Sequence, residues 1–104
     1  MSKNLLRFEW DPEKSQKNRN KHRVSFEEAS TVFFDEEAVL IDDPDHSDEE
    51  ERFILIGLSE SGRLLVICHC YRKNDSIIRL ISARKATRSE ETDYYDLKKR
   101  WNYS

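Results

Sequence analysis

Lys21, His22 and Arg23 stand in a row, an imidazole between two cations, and a second basic pair, Arg84-Lys85, closes an alternating run that also carries Arg79. This combination suits phosphodiester chemistry. An imidazole takes or gives a proton near neutral pH, and guanidinium forks match phosphate oxygens. Adjacent cations favour a neutral imidazole, the form that acts as a base, and a bound phosphate reverses that preference. Arg63 is a further cationic candidate, and His46, in the acidic stretch Asp42 to Glu51, is a second candidate proton carrier. Each has a plainer reading. His22 fits a surface histidine near a helix C terminus. Arg79 fits an internal salt bridge as well as it fits phosphate, whereas Arg84, beside Lys85 and close to Arg88 at a helix start, favours phosphate. His46 fits a solvated loop, because Asp43 to Asp48 lacks the glycine and closing glutamate of a calcium loop.

Charge is sorted along the chain in a way the net value of −3 hides. Residues 1–24 carry seven Lys or Arg against three Asp or Glu, residues 25–60 one against thirteen, and residues 61–88 seven against one. A fold that joined the two basic segments would present a cationic cleft, and a polyanion responds to that local field.

These groups must be held by elements that the pattern outlines. Phe8-Glu9-Trp10 reads as a short strand, and Asp11 before Pro12 as the N-cap of a helix running toward His22. That helix is polar on every side, with Lys14, Lys17 and Lys21 along one face. Ser25 with Glu28 forms a capping-box pattern ahead of Phe26, Ala29, Val32 and Phe33, an amphipathic second helix. Beyond it, residues 38–41, 52–59, 63–72 and 76–83 are β-rich, the last three joined by hairpin-length turns. Strict alternation in the last run places Arg79 with Ile77, Ile81 and Ala83, and Arg84 on the opposite face with Ile78, Leu80 and Ser82. Thr87 with Glu90 repeats the capping-box pattern before a final helix whose Tyr94, Leu97 and Trp101 make one stripe, to pack on the sheet or to anchor a partner. The expected class is α+β in the order β-α-α-β-β-β-β-α, an antiparallel sheet with helices on one face and the other face free for a ligand.

With 104 residues, the span 1–104 is read as one domain. The start of the chain has no apolar leader and no stretch suits a membrane span, so a soluble cytoplasmic protein is expected. Cys68 and Cys70 point to one face of an extended run and read as small core residues; His69 points away from them, which argues against a metal site. Neither a metal nor a cofactor is expected.

Five segments then resemble one family, in order: Phe8-Glu9-Trp10-Asp11; Asn20 to Ala29, with Lys21-His22-Arg23-Val24-Ser25-Phe26 at its centre; Asp45-His46 leading into Glu51-Arg52-Phe53; Gly62-Arg63-Leu64; and Ile78 to Ala86, with Ser82-Ala83-Arg84-Lys85. Together they are similar to the BrnT toxins. The resemblance implies a RelE-like ribonuclease fold, metal-free RNA cleavage, and inhibition by a BrnA-like antitoxin, with two toxins around an antitoxin dimer and operator DNA reached only through the antitoxin. One departure is Arg23, where many members have glycine.

The reading that follows is a metal-independent endoribonuclease toxin that inhibits translation. RNA supplies its own nucleophile, the 2′-hydroxyl, so the protein need only move protons and stabilise the pentavalent phosphate. His22 is the acid or base, Lys21, Arg79 and Arg84 hold phosphate, Arg63 assists, and His46 is the second proton carrier. Two alternatives use the same residues: a binding module without turnover, or an interaction protein whose basic segments pair with its own acidic one.

Overall fold

The computed structural model describes residues 6–43 and 51–103, with side chains as far as residue 97. His46 and the Trp101 side chain therefore lie outside the described residues. The elements are β1 (Arg7–Glu9), α1 (Pro12–His22), α2 (Phe26–Thr31), a 3-10 turn (Val32–Phe34), β2 (Val39–Asp42), β3 (Phe53–Leu58), β4 (Leu64–Arg72), β5 (Ile77–Lys85) and α3 (Arg88–Tyr103).

Side chains set the helix ends. Asp11 accepts from the Glu13 N–H at 2.9 Å, with Pro12 at the first helical position. Helix α1 stops at Arg23, whose φ of 60° is left-handed and whose N–H donates to the Arg19 carbonyl. Glycine adopts that conformation at least cost, so the arginine here carries C-cap strain. At α2 only half of the capping box forms: Ser25 Oγ accepts from the Glu28 N–H at 3.0 Å, while the Glu28 carboxylate turns to Arg63, Ser59 and Ser61. At α3 both halves form, Glu90 N–H to Thr87 Oγ1 at 3.2 Å and Thr87 N–H to Glu90 Oε1 at 2.8 Å.

The sheet has five strands in the order β1-β5-β4-β3-β2. Strands β2 to β5 pair antiparallel, but β1 runs parallel to β5, with Glu9 opposite Arg79. This corrects the wholly antiparallel expectation. No hairpin joins β1 to its neighbour, and the long helical connection leaves its direction unconstrained by a tight turn.

Helices cover both faces, which corrects the one-face expectation as well. On one face Val24, Phe26, Ala29 and Val32 pack on Leu55, Leu65, Ile67, Ile78, Leu80 and Ala83. On the other, Tyr94 of α3 packs on Ile56, Leu64 and Val66, so its stripe serves the core at this position. The physical reason is that β3 and β4 are apolar at successive positions, giving each face something to bury.

A bulge changes the arginine arrangement. Cys68 lies opposite Ser82 while His69 lies opposite Leu80, so Ile81 is an extra residue in β5. Strict alternation would separate Arg79 from Arg84; the extra residue places both on the α3 side of the sheet, opposite Cys70 and Val66.

Helix α1 has no apolar stripe and docks by hydrogen bonds. Buried Asn18 accepts from the Ala83 N–H at 3.0 Å and donates to the Ala83 carbonyl at 2.8 Å and the Val24 carbonyl at 3.0 Å. Its amide substitutes for a neighbouring strand where β1 has ended. His69, fully buried against Phe33 at a ring distance of 4.8 Å, faces the opposite side from the buried thiols of Cys68 and Cys70.

Two outcomes follow from these buried polar groups. Asn18→Ala leaves the Ala83 and Val24 groups without their partner and should lower unfolding free energy by about 1–3 kcal/mol in urea titrations. Burial also pushes His69 down to about 4 from 6.5. The folded state thus holds the imidazole neutral while the unfolded chain protonates it, so this contribution is complete above pH 6.5 and is lost as pH falls toward 4. Stability should decline over that window by up to about 1.4 kcal/mol per pH unit from this group, and His69→Leu should flatten the decline.

Candidate functional site

The C terminus of α1, the turn before β4 and the end of β5 meet at one end of the sheet. Asn18 ties α1 to Ala83, and Arg63 Nη2 donates to the Arg23 carbonyl at 3.1 Å. Lys85 lies opposite Leu65, two residues from Arg63. Lys21, His22, Arg23, Arg63 and Lys85 therefore share one rim, drawn from both basic segments of the sequence. Lys21, Arg23 and Lys85 are exposed and His22 is half-buried. The side chains of Lys21, His22 and Lys85 make no hydrogen bond or ion pair with the described residues.

Arg63 is a strut within this rim. Its Nε donates to Glu28 Oε2 at 3.0 Å and its Nη2 to Glu28 Oε1, while Ser59 and Ser61 hydroxyls donate to the same carboxylate at 2.7 and 2.6 Å. The Arg63 bond holds the Glu28 carboxyl down at about 2, with the two serines adding to it against the opposing effect of burial, and the Arg63 guanidinium is correspondingly pushed up. Glu28 thus joins the start of α2 to the β3–β4 turn, and Arg63 extends the tie to the residue after His22. Gly62 makes the turn possible with a φ of 85°.

The other two arginines lie on the α3 face, each with a carboxylate. Arg84 makes a bidentate pair with Glu90, both bonds at 2.8 Å, and this pair holds the Glu90 carboxyl at about 2. Arg79 Nη1 meets Glu9 Oε2 at 2.8 Å, beside β1. Of the residues expected in a site, the fold brings together Lys21, His22 and Arg63; Arg84 flanks that end from the opposite face, Arg79 lies farther along the strand, and His46 is outside the described residues. Burial pushes the Cys68 thiol up to about 11, which disfavours the thiolate.

Three contributors were not among the residues expected in a site. Lys85 joins the rim, Glu28 braces it, and Asn18 sets where it sits. The Ser25/Glu28 spacing drew attention to Glu28 only as a cap, and nothing marked Asn18 except its place in a helix without an apolar face.

The fold is α+β, with a mixed five-stranded sheet and a cationic rim at one end of it. A family model described as the ribonuclease toxin, BrnT, of type II toxin-antitoxin systems matches residues 10–90, and the chain belongs to that family. The crystal structure of the Brucella abortus ribonuclease toxin, BrnT, shares the fold with a TM-score of 0.61 at 19% identity, covering 81% of this chain and all of that one. No curated protein matches. Membership in a type II toxin–antitoxin family implies an antitoxin partner. Among the described residues, no helix is long and apolar enough to cross a membrane.

The Glu28 brace has a pH signature. Its folded carboxyl sits near 2 and its ordinary value is 4.5, so its stabilising contribution is whole above pH 4.5 and is lost as pH falls toward 2. Glu28→Gln should lower stability at pH 7 and shrink the acid dependence between those two values, read by urea titration at each pH.

Proposed function

We propose that the chain is a metal-independent endoribonuclease that cleaves RNA through attack of the 2′-hydroxyl and thereby inhibits translation, acting from the rim at the end of α1. The observation that carries this reading is the union of His22 with cations from two distant segments, Lys21 on one side and Arg63 and Lys85 on the other, in a chain of a ribonuclease toxin family. His22 moves the proton of the 2′-hydroxyl or of the leaving oxygen. Lys21 and Lys85 neutralise the phosphate as charge develops on it, a role that needs cations near the equatorial oxygens and no bond to the substrate. Arg63 is a positioning residue, because its guanidinium is committed to Glu28 and to the Arg23 carbonyl. Arg84 and Arg79 reach phosphate only by exchanging Glu90 or Glu9 for it, which suits contacts to RNA beyond the scissile bond. His46 is retained as a second proton carrier. Regulation follows the family: a BrnA-like antitoxin, as a dimer holding two toxins, carries the operator-binding activity, and the toxin domain spans 1–104 in a RelE-like, cytoplasmic enzyme.

The pairing of Arg63, Arg79 and Arg84 with carboxylates favours a second reading, an RNA-binding module without turnover. One experiment separates the two. Purified protein should cleave RNA in EDTA and leave a 2′,3′-cyclic phosphate or a 3′-phosphate. His22→Ala should lower the cleavage rate by about a hundredfold or more with an unchanged urea midpoint. Strict dependence on Mg²⁺, or full activity in His22→Ala, overturns the proposed mechanism; salt-sensitive RNA binding without any cleavage establishes the module instead.

A further inference from the structure

Strand β2 is an edge of the sheet, paired only with β3 among the described residues. The Asp43 N–H donates to the Arg52 carbonyl at 3.0 Å, which fixes the phase of the ladder: Asp43, Ile41 and Val39 turn their backbone groups toward β3. Leu40 and Asp42 turn theirs outward. Natural edge strands are commonly blunted by shortness, charge, proline or a bulge. Val39–Asp42 is short and carries one charge, Asp42, but has no lysine, proline or bulge, and it leaves Leu40 52% and Ile41 47% exposed, on opposite faces.

A groove runs along each side of this edge. On the α2 side, Leu40, Phe53 and Tyr71 floor a space of about 470 Å³ whose rim carries Glu51 and Asp75. On the α3 side, Val39, Ile41, Ile56 and Leu97 floor one of about 330 Å³ whose rim carries Asp93 and Asp96. Among the described residues both grooves combine an apolar floor with an acidic border, and the outward donors and acceptors of the strand between them have no partner. Successive side chains of an added strand fall alternately on the two faces and so enter the two grooves in turn.

We propose that the β2 edge is a docking site for an extended, cationic segment of a partner protein, which adds to the sheet as a further strand, with apolar side chains on both floors and Lys or Arg at both rims. Charge complementarity selects this occupant. Nucleic acid is repelled by the acidic borders, and a second copy pairing β2 to β2 would bring two acidic rims together. The assignment does not depend on the ribonuclease reading and is tested without RNA.

The probe is a fluorescein-labelled peptide, Lys-Lys-Val-Ile-Val-Ile-Lys-Lys, compared with the version in which Glu replaces each Lys, with binding read by anisotropy on the full chain. The Lys peptide should bind and weaken as salt rises, the Glu peptide should not bind, and amide exchange at Leu40 and Asp42 should slow in the complex. Leu40→Pro deletes an outward N–H without touching the β2–β3 ladder, a substitution edge strands tolerate, and should weaken binding by about tenfold or more. Should that variant melt early, the double variant Leu40→Lys with Ile41→Lys keeps the backbone and repels the peptide from both floors, with the same expected loss. Equal binding of the Lys and Glu peptides, full binding by either variant in its folded form, no binding by the parent chain, or a β2-mediated dimer in sedimentation overturns the proposal.

Discussion

The three hydrogen bonds of Asn18 determine where everything near the candidate site lies. A helix as polar as α1 gains little from apolar burial, so its position must come from directional contacts. The amide satisfies both backbone groups of Ala83 at the stretch of β5 that β1 does not cover, and also the Val24 carbonyl just beyond the helix. One side chain thereby closes the open edge of a strand, fixes the axial position of α1, and fixes the exit of the chain toward α2. His22 is one helical turn past Asn18, so its place relative to Lys85 is a direct consequence.

The sorted charges have a structural counterpart. Arg63, Arg84 and Arg79 are each matched by a carboxylate from another element: Glu28, Glu90 and Glu9 in turn. Two of these ties end at helix starts, Glu28 in α2 and Glu90 in α3, where the helix dipole also favours a carboxylate, and the third joins β5 to β1. Once the arginines are so committed, the field at the rim comes chiefly from Lys21, Arg23 and Lys85, exposed groups that solvate readily and can meet a phosphate without first releasing an internal partner.

Helix boundaries were legible because caps are local: Asp11-Pro12, Ser25 and Thr87 each state their geometry within four residues. The direction of β1 was not legible, since three residues without a hairpin carry no information about orientation. Nor was the bulge at Ile81, which no glycine or proline announces, and a single unseen residue moved Arg79 and Arg84 onto one face. The row Lys21-His22-Arg23 was visible in the sequence; that Arg63 reaches the Arg23 carbonyl and that Lys85 lies opposite Leu65 at the same sheet end was not, because both depend on tertiary contacts. Glu28 shows the limit most sharply. The sequence pattern identifies a cap, and the hydroxyls of Ser59 and Ser61 with the guanidinium of Arg63 compete for the same carboxylate and win.

The two faces of the sheet are also locked to each other around the β2 edge. Asp35, at the end of the 3-10 turn on the α2 side, accepts from the Leu58 N–H at 2.8 Å and from the Tyr94 hydroxyl at 2.7 Å, and Tyr94 belongs to α3 on the opposite side. Its approach needs a glycine at position 57, where a Cβ would come within 2.9 Å of the Asp35 carboxylate and of Ala38 and Val32. A segment that docked on β2 would therefore lie against a rigid border fastened from both sides, and its own ordering would carry the entropic cost. The cationic rim stands at the end of β5, two strands away across β4 and β3, so a strand seated on β2 cannot by itself cover His22. A partner seated on β2 would need a second segment across the end of the sheet to reach the rim, so occupancy of the edge and obstruction of the rim are separable by geometry.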